Sequence, residues 1–177
     1  MFSRVRLLVP LAVLLVVGGT PNALAATRPP ETVASTQAAA PVPVPVPVTP
    51  AAAKAIRSAN ATPASTKCYE WQPYVYIENG LGENLAHFYQ HIYWCENGSI
   101  ITYHGPGEPF GAVQGTFWEY KGLLSKVSSG GSGSSFWQLF SQGNFCLDIP
   151  GAGCVEYWQP WIRTTVYGNG GYKWEHG

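Results

Sequence analysis

Glu70, Gln72, Tyr74 and Tyr76 alternate with apolar residues along one stretch, and His87, Tyr89, His91 and Tyr93 take every second position along the next, between Phe88, Gln90 and Ile92. Phenol and imidazole rings stack on the apolar C–H faces of sugars, while amide and carboxylate groups satisfy hydroxyls. These eight side chains on one rigid surface would therefore suit a glycan. The same rings would fill an interior if a second sheet covered them, with their hydroxyls bonded internally. His87 and His91 are four apart, a spacing that shares a zinc ion on a helix. On a strand they stand about 13 Å apart at ~3.3 Å per residue, too far for one ion, so no metal is expected there. Asp148 is the only aspartate, and no loop alternates Asp and Asn as calcium requires. No cofactor is expected.

Acid–base chemistry would need two carboxylates about 5–9.5 Å apart for glycoside hydrolysis. Glu70, Glu78, Glu83, Glu96, Glu108, Glu119, Glu156 and Glu175 are available, and spacing alone singles out no pair. The run His104-Gly-Pro-Gly-Glu-Pro-Phe-Gly would carry His104 and Glu108 as acid and base on a flexible segment, or serve as a Gly/Pro surface loop. Nucleophilic chemistry is poorly supported, because there is no Gly-x-Ser-x-Gly elbow and the four cysteines suit bridges. The Gly-rich runs do not sit between a strand and a helix with a lysine, so no nucleotide site is indicated.

The elements that must position these residues are strands. From Lys67 onward no apolar periodicity of 3.6 is sustained. Short aromatic and β-branched runs instead alternate with turns at Asn79-Gly80, Asn97-Gly98, Pro150-Gly151 and Asn169-Gly170. The expectation is an all-β fold, an antiparallel β-sandwich or small barrel with two disulfide-bridged hairpins. Strands are expected over 69–77, 85–95, 99–103, 113–121, 123–127, 136–141, 144–147, 155–158, 161–167 and 171–175. Ser128–Ser135 is Ser and Gly alone and is expected to be a mobile loop.

Four cysteines can pair in three ways. Cys68 and Cys95 are symmetric about the Asn79–Asn84 turn region, and Cys146 and Cys154 about Pro150, so each pair would bridge its own hairpin. If Cys68 faces Cys95, the first hairpin's register follows. Tyr69 then meets Trp94, Trp71 meets Ile92, Val75 meets Phe88 and Ile77 meets Ala86 on the core side. Glu70 with Tyr93, Gln72 with His91, Tyr74 with Tyr89 and Tyr76 with His87 fall on the other. Pro73 cannot donate to a ladder, so its strand is expected at a sheet edge or bulged. The runs Cys68-Tyr-Glu-Trp-Gln-Pro and Cys154-Val-Glu-Tyr-Trp-Gln-Pro are similar, a mark of duplication or of coincidence in a Trp/Tyr-rich chain.

The chain has 177 residues and zero formal net charge. Residues 1–66 carry five basic side chains against one acidic, and 67–177 carry five against nine. All the Cys, Trp and Tyr lie in the second part, which is expected to form one β domain over 67–177. An acidic domain with no Lys/Arg cluster speaks against nucleic acid or an anionic membrane as partner. Residues 1–25 have Arg4 and Arg6, the apolar run Leu7–Val17 and Ala23-Leu24-Ala25, the plan of a cleavable export signal. Residues 26–66 are rich in Pro, Ala, Thr and Val, and are expected to be a disordered, extended tail that buries no core.

Tyr93-Trp94-Cys95-x-Asn97-Gly98, Gly143-x-Phe145, the Cys146 and Cys154 pair, Pro160-Trp161-Ile162, Val166 and Asn169-Gly170 together resemble a group of secreted, β-rich, two-disulfide proteins of actinobacteria. The resemblance spans most of 68–174. It implies export, the two bridges and an all-β fold, and it transfers no catalytic residue. The expected function is a secreted, non-catalytic module that binds polysaccharide or cell-envelope glycan. A small glycan hydrolase using paired glutamates and an extracellular protein-binding or inhibitory domain are the alternatives.

Overall fold

The computed structural model describes residues 35–58 and 66–177. The expected export signal over 1–25 lies outside the described residues. In chain order the elements are β1 (Ser35–Ala39), β2 (Val44–Val46), α1 (Pro50–Ser58), β3 (Lys67–Trp71), β4 (Tyr74–Glu78), β5 (Asn84–Glu96), β6 (Ile101–His104), β7 (Glu108–Val113), β8 (Trp118–Gly130), β9 (Phe136–Ile149), β10 (Gly153–Trp158), β11 (Trp161–Tyr167) and β12 (Tyr172–His176). They form a seven-stranded sheet, β1 to β7, and a five-stranded sheet, β8 to β12. Every pairing is antiparallel.

Each sheet is built on one long strand. Along β5 run β4 and β3 on one side and β7 and β6 on the other. Along β9 run β11 and β10 on one side and β8 on the other. The paired strand breaks in both cases at a buried proline, which has no N–H for the ladder but still offers its carbonyl. Gln90 N–H donates to the Pro73 carbonyl at 3.0 Å, and Gly143 N–H to the Pro160 carbonyl at 2.9 Å. The two similar sequence runs thus occupy equivalent places, each with a cysteine bridged to the long strand. The extra residue of the second copy falls where β10 bulges between Cys154 and Glu156.

The expected first-hairpin register is the observed one. Cys68 faces Cys95 with Cα atoms 4.0 Å apart, and Tyr69, Trp71, Val75 and Ile77 meet Trp94, Ile92, Phe88 and Ala86. The second bridge, Cys146 to Cys154, also forms, but diagonally: the bulge sets Cys154 opposite Asp148 and Cys146 opposite Tyr157. The two bridges suit an oxidising compartment. No helix among the described residues is long and apolar enough to cross a membrane.

The inner faces meet in two apolar clusters. One joins Trp71, Ile92, Trp94 and Ile101 to Trp137, Leu139 and Val166; the other joins Val75, Ile77, Ala86 and Phe88 to Trp118, Phe145 and Ile162. Gly143 lets them close, because the Phe88 ring lies 2.7 Å from where a Cβ would stand. Gln90, fully buried, donates to Ser141 Oγ at 2.8 Å and accepts from Thr164 Oγ1 at 2.6 Å, so a polar knot ties the sheets together.

Three expectations need correction. Within the expected tail, 35–58 is not an exposed spacer: β1 pairs β4 and β2 pairs β3, so chain before Lys67 belongs to the sheet. Pro45 is tolerated because β2 is an edge strand, and the addition of β1 and β2 means that β3 and β4 are not edges. Thr49 caps α1, its hydroxyl accepting from Ala52 N–H at 3.2 Å, with Pro50 next in line. Ala52 and Ile56, four apart, are then fully buried against the Cys68–Cys95 bridge. Secondly, Ser128–Ser135 is not a free loop. β8 continues to Gly130, and the turn beyond is fastened by bonds of 2.8 Å from Ile101 N–H to Ser134 O, Gly133 N–H to Ile101 O and Gly168 N–H to Ser135 O. Thirdly, no strand covers 113–121. β7 ends at Val113, and the chain turns through Phe117, whose φ of 71° is left-handed, before β8.

Candidate functional site

The outer face of the seven-stranded sheet gathers the residues singled out by alternation. Antiparallel register places Tyr74 beside Tyr89, Tyr89 beside Phe110, and Tyr76 beside His87, across β4, β5 and β7. Ring centroids are 5.4 Å apart for Tyr74 and Tyr89 and 4.8 Å for Tyr89 and Phe110, the latter nearly parallel at 12°. His87 stacks on Tyr76 at 5.4 Å and on Tyr89 at 5.5 Å. The five rings make one continuous platform. The second sheet packs on the opposite side, so among the described residues it does not cover these rings; the tyrosines are half-buried and Phe110 is exposed.

Burial holds the Tyr89 phenol above its ordinary range, with Tyr74 adding to the effect, so the Tyr89 hydroxyl stays a neutral donor near neutral pH. Burial also pushes the His87 imidazole below its ordinary value. The folded protein therefore holds His87 neutral where the unfolded chain takes up a proton at about pH 6.5. Stability should decline as pH falls through that value toward 5. A His87→Phe variant should show a flatter profile of urea midpoint between pH 5 and 7.5; an unchanged slope would remove this account.

Below the platform lies a polar band. His91 Nε2 contacts Glu70 Oε1, and its Nδ1 lies 4.0 Å from Glu108 Oε2. Glu70 and Glu108 therefore converge on one imidazole from β3 and β7. Beside them Pro41, Val42, Val44, Glu70, Gln72 and His91 border a shallow groove of about 290 Å³. Seven of the eight expected residues thus share one face, six of them accessible and His87 buried among its neighbouring rings. Tyr93 does not: it lies in the cluster under α1, with Thr49 N–H donating to its hydroxyl at 3.2 Å.

The proposed His104 and Glu108 pair is not assembled. His104 faces Trp94 in the ladder and stacks on Trp137 at 4.4 Å, whereas Glu108 faces His91. Trp94 and His91 lie on opposite faces of β5, and the sheet separates the two groups. Phe110 and the groove wall were not anticipated. Glu108, Phe110 and Ala112 do alternate outward, but Gly and Pro between them disguise a strand. Four of the remaining glutamates have other neighbours: Glu83 accepts from Asn79 at 2.6 Å, Glu119 pairs with Lys121 at 2.5 Å, Glu175 pairs with Arg163 at 3.1 Å, and Glu96 binds Gly98 N–H. One grouping of metal-ligating types occurs among the described residues, Cys146, Asp148 and Cys154, but both sulfurs are in the disulfide.

Fold and site define a class: a two-disulfide, all-β sandwich with an aromatic platform on an outer sheet face. The chain matches no protein-family model, no curated protein and no solved structure.

Proposed function

We propose that this protein is a secreted, non-catalytic module that binds polysaccharide or cell-envelope glycan through the platform. The observation that carries the reading is the run Tyr74, Tyr89 and Phe110, continued by Tyr76 and His87, on a face that the second sheet leaves uncovered. Such rings offer flat apolar area beside hydroxyls without large loss of side-chain freedom. Export is supported by the sequence plan of residues 1–25, by the resemblance to secreted actinobacterial proteins, and by the bridges. The exported chain should be retained on one insoluble polysaccharide or on isolated cell wall and be released by soluble fragments of it. Tyr74→Ala with Tyr89→Ala should weaken retention at least tenfold, about 1.4 kcal/mol or more, with the fold intact by circular dichroism. Unchanged retention in the folded double variant would remove the platform from the account.

The hydrolase reading is favoured by a different observation, the convergence of Glu70 and Glu108 on His91 beside the groove. Release of reducing ends from a polysaccharide, abolished by Glu108→Gln, would put hydrolysis in place of binding.

A further inference from the structure

The five-stranded sheet has an outer face of its own, and its chemistry differs from that of the platform. Register aligns Val127, Phe140, Arg163 and Glu175 in one row across β8, β9, β11 and β12, with Trp161 one row away. The Arg163 guanidinium lies 5.5 Å from the centre of the Phe140 ring and 5.7 Å from that of Trp161, and the two rings are 6.0 Å apart. A groove of about 250 Å³ runs between Val127, Ser129, Gln138, Phe140 and Arg163.

We infer that this groove is a second glycan site, specific for sugars carrying a carboxylate, that is, for uronic-acid polysaccharide. Charge complementarity selects that occupant. Beside the groove Arg163 and Lys173 stand against Glu175, while Glu119, Lys121 and Asp148 pair with one another several rows away on the same face; the platform's polar band holds Glu70 and Glu108 around one histidine. An anionic sugar is thus repelled by that band and attracted by the groove. Arg163 is also prearranged. Glu175 Oε2 accepts from Nη1 at 3.1 Å and the rings support the guanidinium plane, so the fork is held while most of its five donors remain for a ligand. A sugar ring laid in the groove against Val127 and Phe140 would bring its carboxylate to that fork, with Ser129 and Gln138 in the same groove for hydroxyls. Favouring a sugar over an acidic peptide is the pairing of ring faces with hydroxyl and amide partners in one shallow groove.

This site does not rest on the platform reading, and the test keeps them apart. The probes are trigalacturonate and its methyl ester, which keeps the ring and removes the charge, titrated into the exported chain and followed by Trp fluorescence. Trigalacturonate should bind at least tenfold tighter than the ester, and more weakly as salt rises. Arg163→Gln should lower its affinity at least tenfold. Arg163→Lys, which keeps the charge but loses the planar fork, should recover only part of it. The Tyr74→Ala, Tyr89→Ala variant should bind trigalacturonate as the parent does. Equal affinity for acid and ester, no binding of either, or unchanged affinity in folded Arg163→Gln would each overturn the proposal. Equally tight binding of oligoglutamate would replace the sugar with acidic peptide as occupant. Loss of trigalacturonate binding in the tyrosine variant would assign the ligand to the other sheet.

Discussion

Replacing Cys68 and Cys95 together with alanine should lower stability by about 3–4 kcal/mol, against about 2.5 kcal/mol for the Cys146 and Cys154 pair. The order follows from the chain enclosed: the sequence separations are 27 and 8, and a longer loop loses more freedom in the unfolded state when it is closed. Local packing reinforces it. The Cys68–Cys95 bridge is buried beneath α1 and touches Ala52 and Ile56, so its loss also leaves the helix over a poorer surface. Urea unfolding of the two double variants would measure the difference. Faster amide exchange in 50–58 in the Cys68/Cys95 variant alone would locate it. Equal losses, with no local change at α1, would contradict both arguments.

Gln90→Leu should cost about 2–4 kcal/mol, although leucine is close in size and apolar. Gln90 lies between the two apolar clusters, and its side chain is the partner of Ser141 Oγ and Thr164 Oγ1. Removing it leaves two hydroxyls in a dry interior, at about 1–3 kcal/mol for each group left unpaired. The further substitutions Ser141→Ala and Thr164→Val remove those hydroxyls, and the triple variant should recover most of the loss. That non-additivity separates a hydrogen-bonded knot from a simple demand for volume. A triple variant no more stable than Gln90→Leu would mean that shape at the sheet contact, and not the polar partners, sets the cost.

Much of the first hairpin was legible because two independent constraints agree on it. The cysteines are symmetric about an Asn/Gly turn region, and the period-two pattern then puts Trp71, Val75, Phe88 and Ile92 on one side. Gln90 breaks that pattern on the inner face, and its Ser141 and Thr164 partners lie 51 and 74 residues away. No local reading pairs residues so distant. Residues 35–58 misled by composition. Pro and Val alternating read as a solvated extended chain, yet the same extended backbone can add to a sheet edge, and the cue for α1 was confined to Thr49-Pro50 and the Ala52, Ile56 spacing.

The platform divides along the same line. Alternation along single strands, with the bridge setting their register, is enough to put Glu70, Gln72, Tyr74, Tyr76, His87, Tyr89 and His91 on one side, because side chains of a strand point to alternate faces whatever surrounds them. That no second sheet covers the tyrosine side among the described residues, that Phe110 arrives from β7, that α1 covers Tyr93, that His104 and Glu108 fall on opposite faces, and that Arg163 settles over Phe140 and Trp161 were decided by tertiary structure alone. These depend on contacts between segments far apart in sequence, and the pairing of one strand with another is determined by how the apolar faces close together rather than by the residues of either strand.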